Sequence, residues 1–329
     1  MKAVGGRMAG DHEVPEAFRA KQSELEFDLE ATLRGVVALR SEIPADAFTA
    51  SILGTERLGS GVLIREDGLV LTIGYLVTEA ERVWLSARDG RVVEGHVLAY
   101  DQATGFGLVQ ALAGLGLPAV PLGCSARCAV GDTVVVAGSG GPGDAVGARV
   151  TAKQEFAGYW EYLLDEALFT APAHPHWGGT ACLDRHGRLL GIGSLLVQQG
   201  MGTRVLPANM IVPVDLLPPI LDDLLRCGRS AGPARPWLGL YACDGPEGVS
   251  ITGLARGGPA HRAKLLIDDR ILSVGDVPVA TLADFYRAVW ALGPAGVEVP
   301  LVLVRDGRRV TATLASIDRN AILKRPRLH

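Results

Sequence analysis

Apolar positions recur along this chain with two different spacings, and the change between them divides it. Between residues 13 and 40, Phe18, Leu25, Leu29, Leu33 and Val36 return at three-to-four-residue and heptad-like intervals, which predicts a helix. Pro15 suits a first helical turn, Glu13 and Glu16 lie near its positive end, and Glu24, Glu26, Asp28 and Glu30 fill the other faces. Such a helix is expected to pack on the body of the protein or on another subunit. From about Ser51 the apolar runs shorten. LGSGVLIREDGLVLTIGYLV is two such runs around a Glu-Asp-Gly turn, a hairpin signal. RVWLSARDGRVVEGHVLAYD repeats it around Asp89-Gly90, and TVVVAGSGG, EYLLDEALFTAP and GGTACLDRHGRLLGIGSLLVQ follow as further strands. Strands this close together predict a mainly β domain, a sandwich or barrel, and no strand–helix alternation between 51 and 212 supports a dinucleotide-binding fold.

VDLLPPILDDLLRC reads as a helix that begins near Asp215, with Pro218 and Pro219 in its first turn. Residues 228–236, GRSAGPARP, form a linker rich in Gly, Pro and Ser. A second domain is expected from Trp237 to Ser316, with strands in WLGLY, GVSITGL, DRILSVGD and EVPLVLVRDGRRVTATL. Its one clear helix is TLADFYRAVWAL. Thr281 and Asp284 make a capping-box-like start, and Leu282, Phe285, Val289 and Leu292 form its apolar face.

Composition narrows the class. Hydrophobic residues are 48% and charged residues 21%, as in packed globular proteins, while 42 glycines and only 5% aromatics suit many turns. The net charge of −4 favours neither nucleic acid nor an anionic membrane as the main partner. Arg319, Lys324, Arg325 and Arg327 make a basic tail over 317–329, read as solvated, with an anionic docking site as the other reading. Cys124, Cys128, Cys182, Cys227 and Cys243 match no zinc spacing and are expected to be reduced, structural thiols. The N-terminal stretch has no apolar run of signal-peptide length and no segment is apolar enough to span a bilayer, so a soluble, cytoplasmic protein is expected. No metal or cofactor is expected.

Four segments, in order, resemble the HtrA/Deg family of trypsin-like serine proteases with C-terminal PDZ domains. GSGVLIREDGLVLTIGYLV is similar to the hairpin that leads to the family's catalytic histidine, and AYDQATGFGLVQ to the segment of its aspartate. HPHWGGTACLDRHGRLLGI is similar to the nucleophile motif, and PANMIVPVDLLPPIL to the strand and helix that close the protease domain. The resemblance implies a trypsin-like double β-barrel over 51–227, after an N-terminal helical segment 1–50. A PDZ-like α/β domain would follow over 237–316. Family members often assemble as trimers, so a homo-oligomer is one open arrangement.

The same resemblance implies that the catalytic set is absent. A serine hydroxyl needs a base near pKa 7, that base needs a carboxylate to orient it, and the oxyanion needs backbone N–H donors. The histidine position falls on Tyr75, a poor base at neutral pH. The aspartate position falls on Gly105, which has no side chain, and the serine position on Trp177, whose indole has no nucleophilic oxygen. The oxyanion-hole glycine falls on Pro175, which has no N–H. Nearby, Cys182 and Ser194 read as packing residues, Asp101 as a turn residue, and His174 and His176 as a loop pair without an apparent third metal ligand. His96 and His186 have no evident partner.

In the second domain Trp237, Leu238, Gly239 and Leu240 resemble the PDZ loop whose N–H groups receive a peptide's C-terminal carboxylate, and Phe285 and Val289 are candidates for the pocket wall. Phe156, Tyr159, Trp160 and Tyr162 form an aromatic cluster that is either ordinary strand packing or a second contact surface. Three readings follow: a non-catalytic scaffold or regulator that binds peptide or protein C-termini; a serine-type endopeptidase with a rearranged site; and an assembly protein with neither activity.

Overall fold

The computed structural model describes residues 14–201 and 204–324. Glu13, Arg325 and Arg327, used in the helix and tail expectations above, lie outside the described residues. The described chain falls into two compact units.

The larger unit holds two closed six-stranded barrels. The first is built from β1 (Val36–Glu42), β2 (Glu56–Arg65), β3 (Leu69–Ile73), β4 (Arg82–Ser86), β5 (Val92–Tyr100) and β6 (Phe106–Ala111), in the order β1-β2-β3-β6-β5-β4. The second takes β7 (Thr133–Ala137), β8 (Ala145–Gly158), β9 (Tyr162–Ala171), β10 (Ala181–Leu183), β11 (Leu189–Met201) and β12 (Arg204–Pro213), in the order β10-β11-β12-β9-β8-β7. The pairs β1–β2, β2–β3, β3–β6, β5–β6, β4–β5 and β1–β4 in the first barrel, and β7–β8, β7–β10, β10–β11, β11–β12 and β9–β12 in the second, are antiparallel. Closure leaves neither barrel an open edge.

The N-terminal helix expected over 13–40 is not formed. Only Leu29–Leu33 is α-helical, with Asp28 accepting from the Ala31 N–H; Glu16–Phe18 and Gln22–Glu24 are single 3-10 turns. Val36 onward is β1 instead, so the first barrel begins well before residue 51. Here period two wins: Val37, Leu39 and Ser41 are buried while Arg40 is exposed, and β-branched Val36 and Val37 favour a strand. After β12, a 3-10 turn at Val214–Leu216 and the helix Pro218–Cys227 close the unit. Gly228, left-handed, receives the chain after that helix.

The smaller unit comprises residues 232–323 and, from the turn between β8 and β9, Glu155–Asp165. Its strands are β13 (Leu240–Gly245), β14 (Gly248–Leu254), β15 (Arg270–Val274), β16 (Val277–Pro278), β17 (Glu298–Arg305) and β18 (Arg308–Ala315). They run β13-β14-β15-β17-β18, with β16 paired to β15, so β13 is an edge strand. The helix Leu282–Ala291 has the expected capping box between Thr281 and Asp284. Leu238, Leu240, Ile251, Ile271, Phe285, Val289, Leu301 and Leu314 fill the core. The first part of the expected solvated tail is packed: Ile317 bridges to Trp237, and the Arg319 side chain reaches the interior.

Candidate functional site

Two places in the chain carry candidate chemistry, one in each unit. In the barrel unit, Tyr75 lies in the 3-10 turn Gly74–Leu76 that ends β3. The Gly74 N–H donates to the Gly105 carbonyl at 2.7 Å, which sets Tyr75 beside Gly105. The Tyr75 hydroxyl donates to the Ser194 carbonyl at 2.8 Å and accepts from Trp177. The neighbour of Trp177, Gly178, is so near that a Cβ on it would stand 2.9 Å from that hydroxyl. The positions of Tyr75, Gly105 and Trp177 are therefore brought together. Burial pushes the Tyr75 phenol well above its ordinary value, so it stays a neutral hydrogen-bonding group.

Gly105 precedes β6 with φ at +83°, a conformation a residue with a Cβ adopts only with strain. Its N–H donates to the Asp101 carbonyl, and Asp101 Oδ2 accepts from both the N–H and the hydroxyl of Thr104 at 2.8 and 2.7 Å. Asp101 is thus a turn residue whose other oxygen, Oδ1, accepts from the Ser230 hydroxyl at 3.3 Å. Cys182 and Ser194 are buried in β10 and β11, and burial raises the Cys182 thiol above its ordinary range. His174 does not act as half of a metal pair: its Nε2 faces the Asp144 carbonyl at 2.7 Å, and its Nδ1 accepts from the His176 N–H at 3.1 Å. Burial pushes its pKa down, so the ring is held neutral with both nitrogens engaged. A Cβ on Gly138 would lie 3.2 Å from Ser60 Oγ, 3.5 Å from Asp144 Oδ2 and 3.5 Å from His174 Cε1. Serine, histidine and aspartate thus gather around one glycine, but Ser60 is 4% and His174 0% exposed. His186, without a partner in the sequence reading, pairs with Glu26 at 3.0 Å.

In the smaller unit the Trp237–Leu240 loop turns its N–H groups onto one carboxylate. Glu161 accepts from the N–H of Leu238 at 2.9 Å, of Gly239 at 2.7 Å and of Leu240 at 3.2 Å. Gly239 makes this possible: its φ is +72°, which lets successive N–H groups converge. Glu161 lies at the tip between β8 and β9 and is 7% exposed. Its own backbone is left-handed, φ +61°, at a cost of about 1–2 kcal/mol. Burial pushes its carboxyl up to about 7, against the lowering effect of the Leu238, Leu240 and Gly239 N–H groups and Arg319.

The rest of the tip lies along both walls of the groove between β13 and the helix Leu282–Ala291. The Ala242 N–H of edge strand β13 donates to the Tyr159 carbonyl at 3.1 Å, and the Tyr159 and Tyr241 rings meet edge to face at 5.9 Å. From the helix, Tyr286 Oη donates to the Gly158 carbonyl at 2.7 Å and accepts from the Glu161 N–H at 3.1 Å. Arg287 pairs with Glu155 and Asp165 at 2.5 and 2.6 Å. Leu163 joins the core of the unit, a burial worth roughly 1.5–3 kcal/mol. Of the predicted pocket residues, Phe285 and Val289 are core at 0% and 2% exposure, and the neighbouring Tyr286 and Arg287 are what touch the tip. The aromatic cluster packs largely on itself, with Trp160 stacked on Tyr162 at 5.5 Å. Glu161 and Tyr286 escaped the sequence reading, which took Arg319 only as part of the tail; the one signal was a lone acid inside the aromatic run FAGYWEYLL.

Comparison with known proteins agrees with this plan. Residues 59–192 match the trypsin-like peptidase domain family and residues 227–315 the PDZ domain family. The chain is 25% identical over 280 residues to the serine endoprotease DegS of Salmonella typhimurium, covering 77% of this chain and 75% of that one. It is 27% identical over 272 residues to a probable periplasmic serine endoprotease, DegP-like, of Pseudomonas putida, and spans 54% of that relative's length. Among solved structures, a serine endoprotease from Yersinia pestis superposes with a TM-score of 0.52 at 21% identity, over 89% of this chain and 99% of that one. The HtrA-type protease AlgW with a decapeptide gives 0.53 at 20% identity, over 92% and 100%. The chain is HtrA/Deg-like: a trypsin-fold domain followed by a PDZ domain.

Proposed function

We propose that this HtrA/Deg-like chain is a non-catalytic protein that acts as a scaffold or regulator by binding peptide or protein C-termini through its PDZ groove. One observation carries the non-catalytic reading: Tyr75, Gly105 and Trp177 come together as a phenol, a bare backbone and an indole. None of them is a base at neutral pH, an orienting carboxylate or a nucleophile. Pro175 removes one N–H from the loop that would cradle an oxyanion. Full-length protein incubated with casein and a fluorophosphonate probe is expected to leave casein intact and to carry no label. Cleavage together with a labelled serine would overturn the reading.

The relatives are named serine endoproteases, which favours a second reading, a serine-type endopeptidase with a rearranged site. Ser60, His174 and Asp144 are the group such an enzyme would draw on, so label on Ser60 is the result it expects. Against it stand the burial of Ser60 and the engagement of both nitrogens of His174. Peptide binding is supported by the PDZ match and by the loop whose three N–H groups converge on a carboxylate. Calorimetry with peptides ending in a free apolar residue, and with their amides, checks it: the acids are expected to bind and the amides to bind more weakly.

A further inference from the structure

We propose that the PDZ groove carries its own occupant, the β8–β9 tip, whose Glu161 side chain sits where an incoming C-terminal carboxylate would sit and must leave before a peptide enters. The proposal rests on the reading of this groove as a peptide site. Its basis is that the tip takes up the loop, the edge strand and the helix that frame the groove. A carboxylate fills the N–H cradle of the Trp237–Leu240 loop. A backbone carbonyl, that of Tyr159, accepts from the edge strand at Ala242, as an added strand does. The helix Leu282–Ala291, the opposite wall, holds the tip through Tyr286 and Arg287.

A structural staple alone would not need this particular cradle. Three N–H groups converging on one point form an anion site, and Glu161 fills it with a carboxyl group. Arg319 adds to the anion character. It is the cation whose charge acts on Glu161, and its Nε and Nη1 are buried with no partner among the described residues. Two ligands cannot share the three donors, so occupancy by Glu161 and by a peptide carboxylate exclude each other. Because the tip is part of the same chain, it competes as an intramolecular ligand, and a free peptide must outbid a locally high concentration of it. Residues of the tip also set what can displace it: a strand that offers a carbonyl to Ala242 and ends in a carboxylate.

Full-length wild type, Glu161→Ala and Glu161→Gln test this with hydrogen exchange and peptide titration. The probes are decapeptides ending in free Val, Leu, Ile or Phe. Removing the carboxyl group in Glu161→Ala is expected to speed exchange across 237–242 and to tighten peptide binding about 10-fold or more, within the range of linked binding events, while Glu161→Gln, which keeps a neutral acceptor oxygen, is expected to change both less. In the wild type, saturating peptide is expected to speed exchange of 155–165 while 237–242 stays protected. Exchange of β17 reports whether a variant has kept its fold, and the wild-type experiment needs no variant. Unchanged exchange of 237–242 in both variants would overturn self-occupancy. Peptide bound to the wild type as tightly as to Glu161→Ala, with 155–165 still protected, would overturn the competition. If 237–242 opens in the variants but none of the three proteins binds peptide, self-occupancy stands and the peptide reading of the groove falls.

Discussion

Gly105 stands at φ +83° with its carbonyl held by the Gly74 N–H and its own N–H on Asp101, so an aspartate placed there inherits a left-handed backbone. On the non-catalytic reading, placing a catalytic set by Tyr75→His, Gly105→Asp and Trp177→Ser therefore yields at most weak acylation by an activated ester in single turnover. Pro175→Gly added to that triple variant raises the rate, because a missing oxyanion donor typically costs about 10²–10³-fold. A triple variant as fast as the quadruple one would show that Pro175 does not limit the site. Glu161 sets a different expectation. Its carboxyl rises from an ordinary 4.5 to about 7, chiefly through burial. The docked tip then binds a proton that the undocked tip releases. Docking is strongest below about pH 4.5, weakens as pH climbs through the window to about 7, and is level above it. The whole change is on the order of 3 kcal/mol for a shift of this size. Tyr286 and Tyr241, which also face this carboxyl, are both raised by burial and do not titrate in that window, and the third neighbour is the Arg319 guanidinium. Exchange across 237–242 should accelerate between pH 5 and 7.5 in the wild type beyond its intrinsic pH dependence; Glu161→Gln should lose that excess. At this scale the proximity of Tyr75, Gly105 and Trp177 was readable from the ordered motifs. Glu161 was not, since its role lies in donors 77 to 79 positions away.

Among the elements, the helix Leu282–Ala291 was legible because its signals are local: a capping box at Thr281 and Asp284, and an apolar stripe. β1 was misread because Leu29, Leu33 and Val36 fit a helical stripe, while the strand period begins only with Val37 and is set by pairing to β2 and β4. Of the hairpin β8–β9 only β9 was visible as a strand, and its tip stayed open between strand packing and a contact surface, because what it packs against arrives far later in the chain. Tyr286 is the side chain that fixes the tip to the helix. Tyr286→Phe leaves the Gly158 carbonyl and the Glu161 N–H buried without a partner, at about 1–3 kcal/mol. Faster exchange of 155–165, with the protection of β17 retained, is the expected result; an unchanged tip would show that the hydroxyl contributes nothing.

On the scale of the whole molecule, the order of hairpins and the linker made the two-domain plan readable. The plan is also what survives in solved structures only 20–21% identical to this chain. Membership of the tip in the smaller unit was not readable, because it crosses the domain plan that composition and linkers mark out. The tip's attachment at both ends, to β8 and to β9, has a consequence in time. A dissociated peptide diffuses away and is lost, whereas a dislodged tip returns on the timescale of a loop. If the tip occupies the groove, openings are therefore brief, and a visiting peptide must arrive during one of them. Short-lived encounters end with the loop back in place, so the groove answers to how long a partner stays more than to how often it collides.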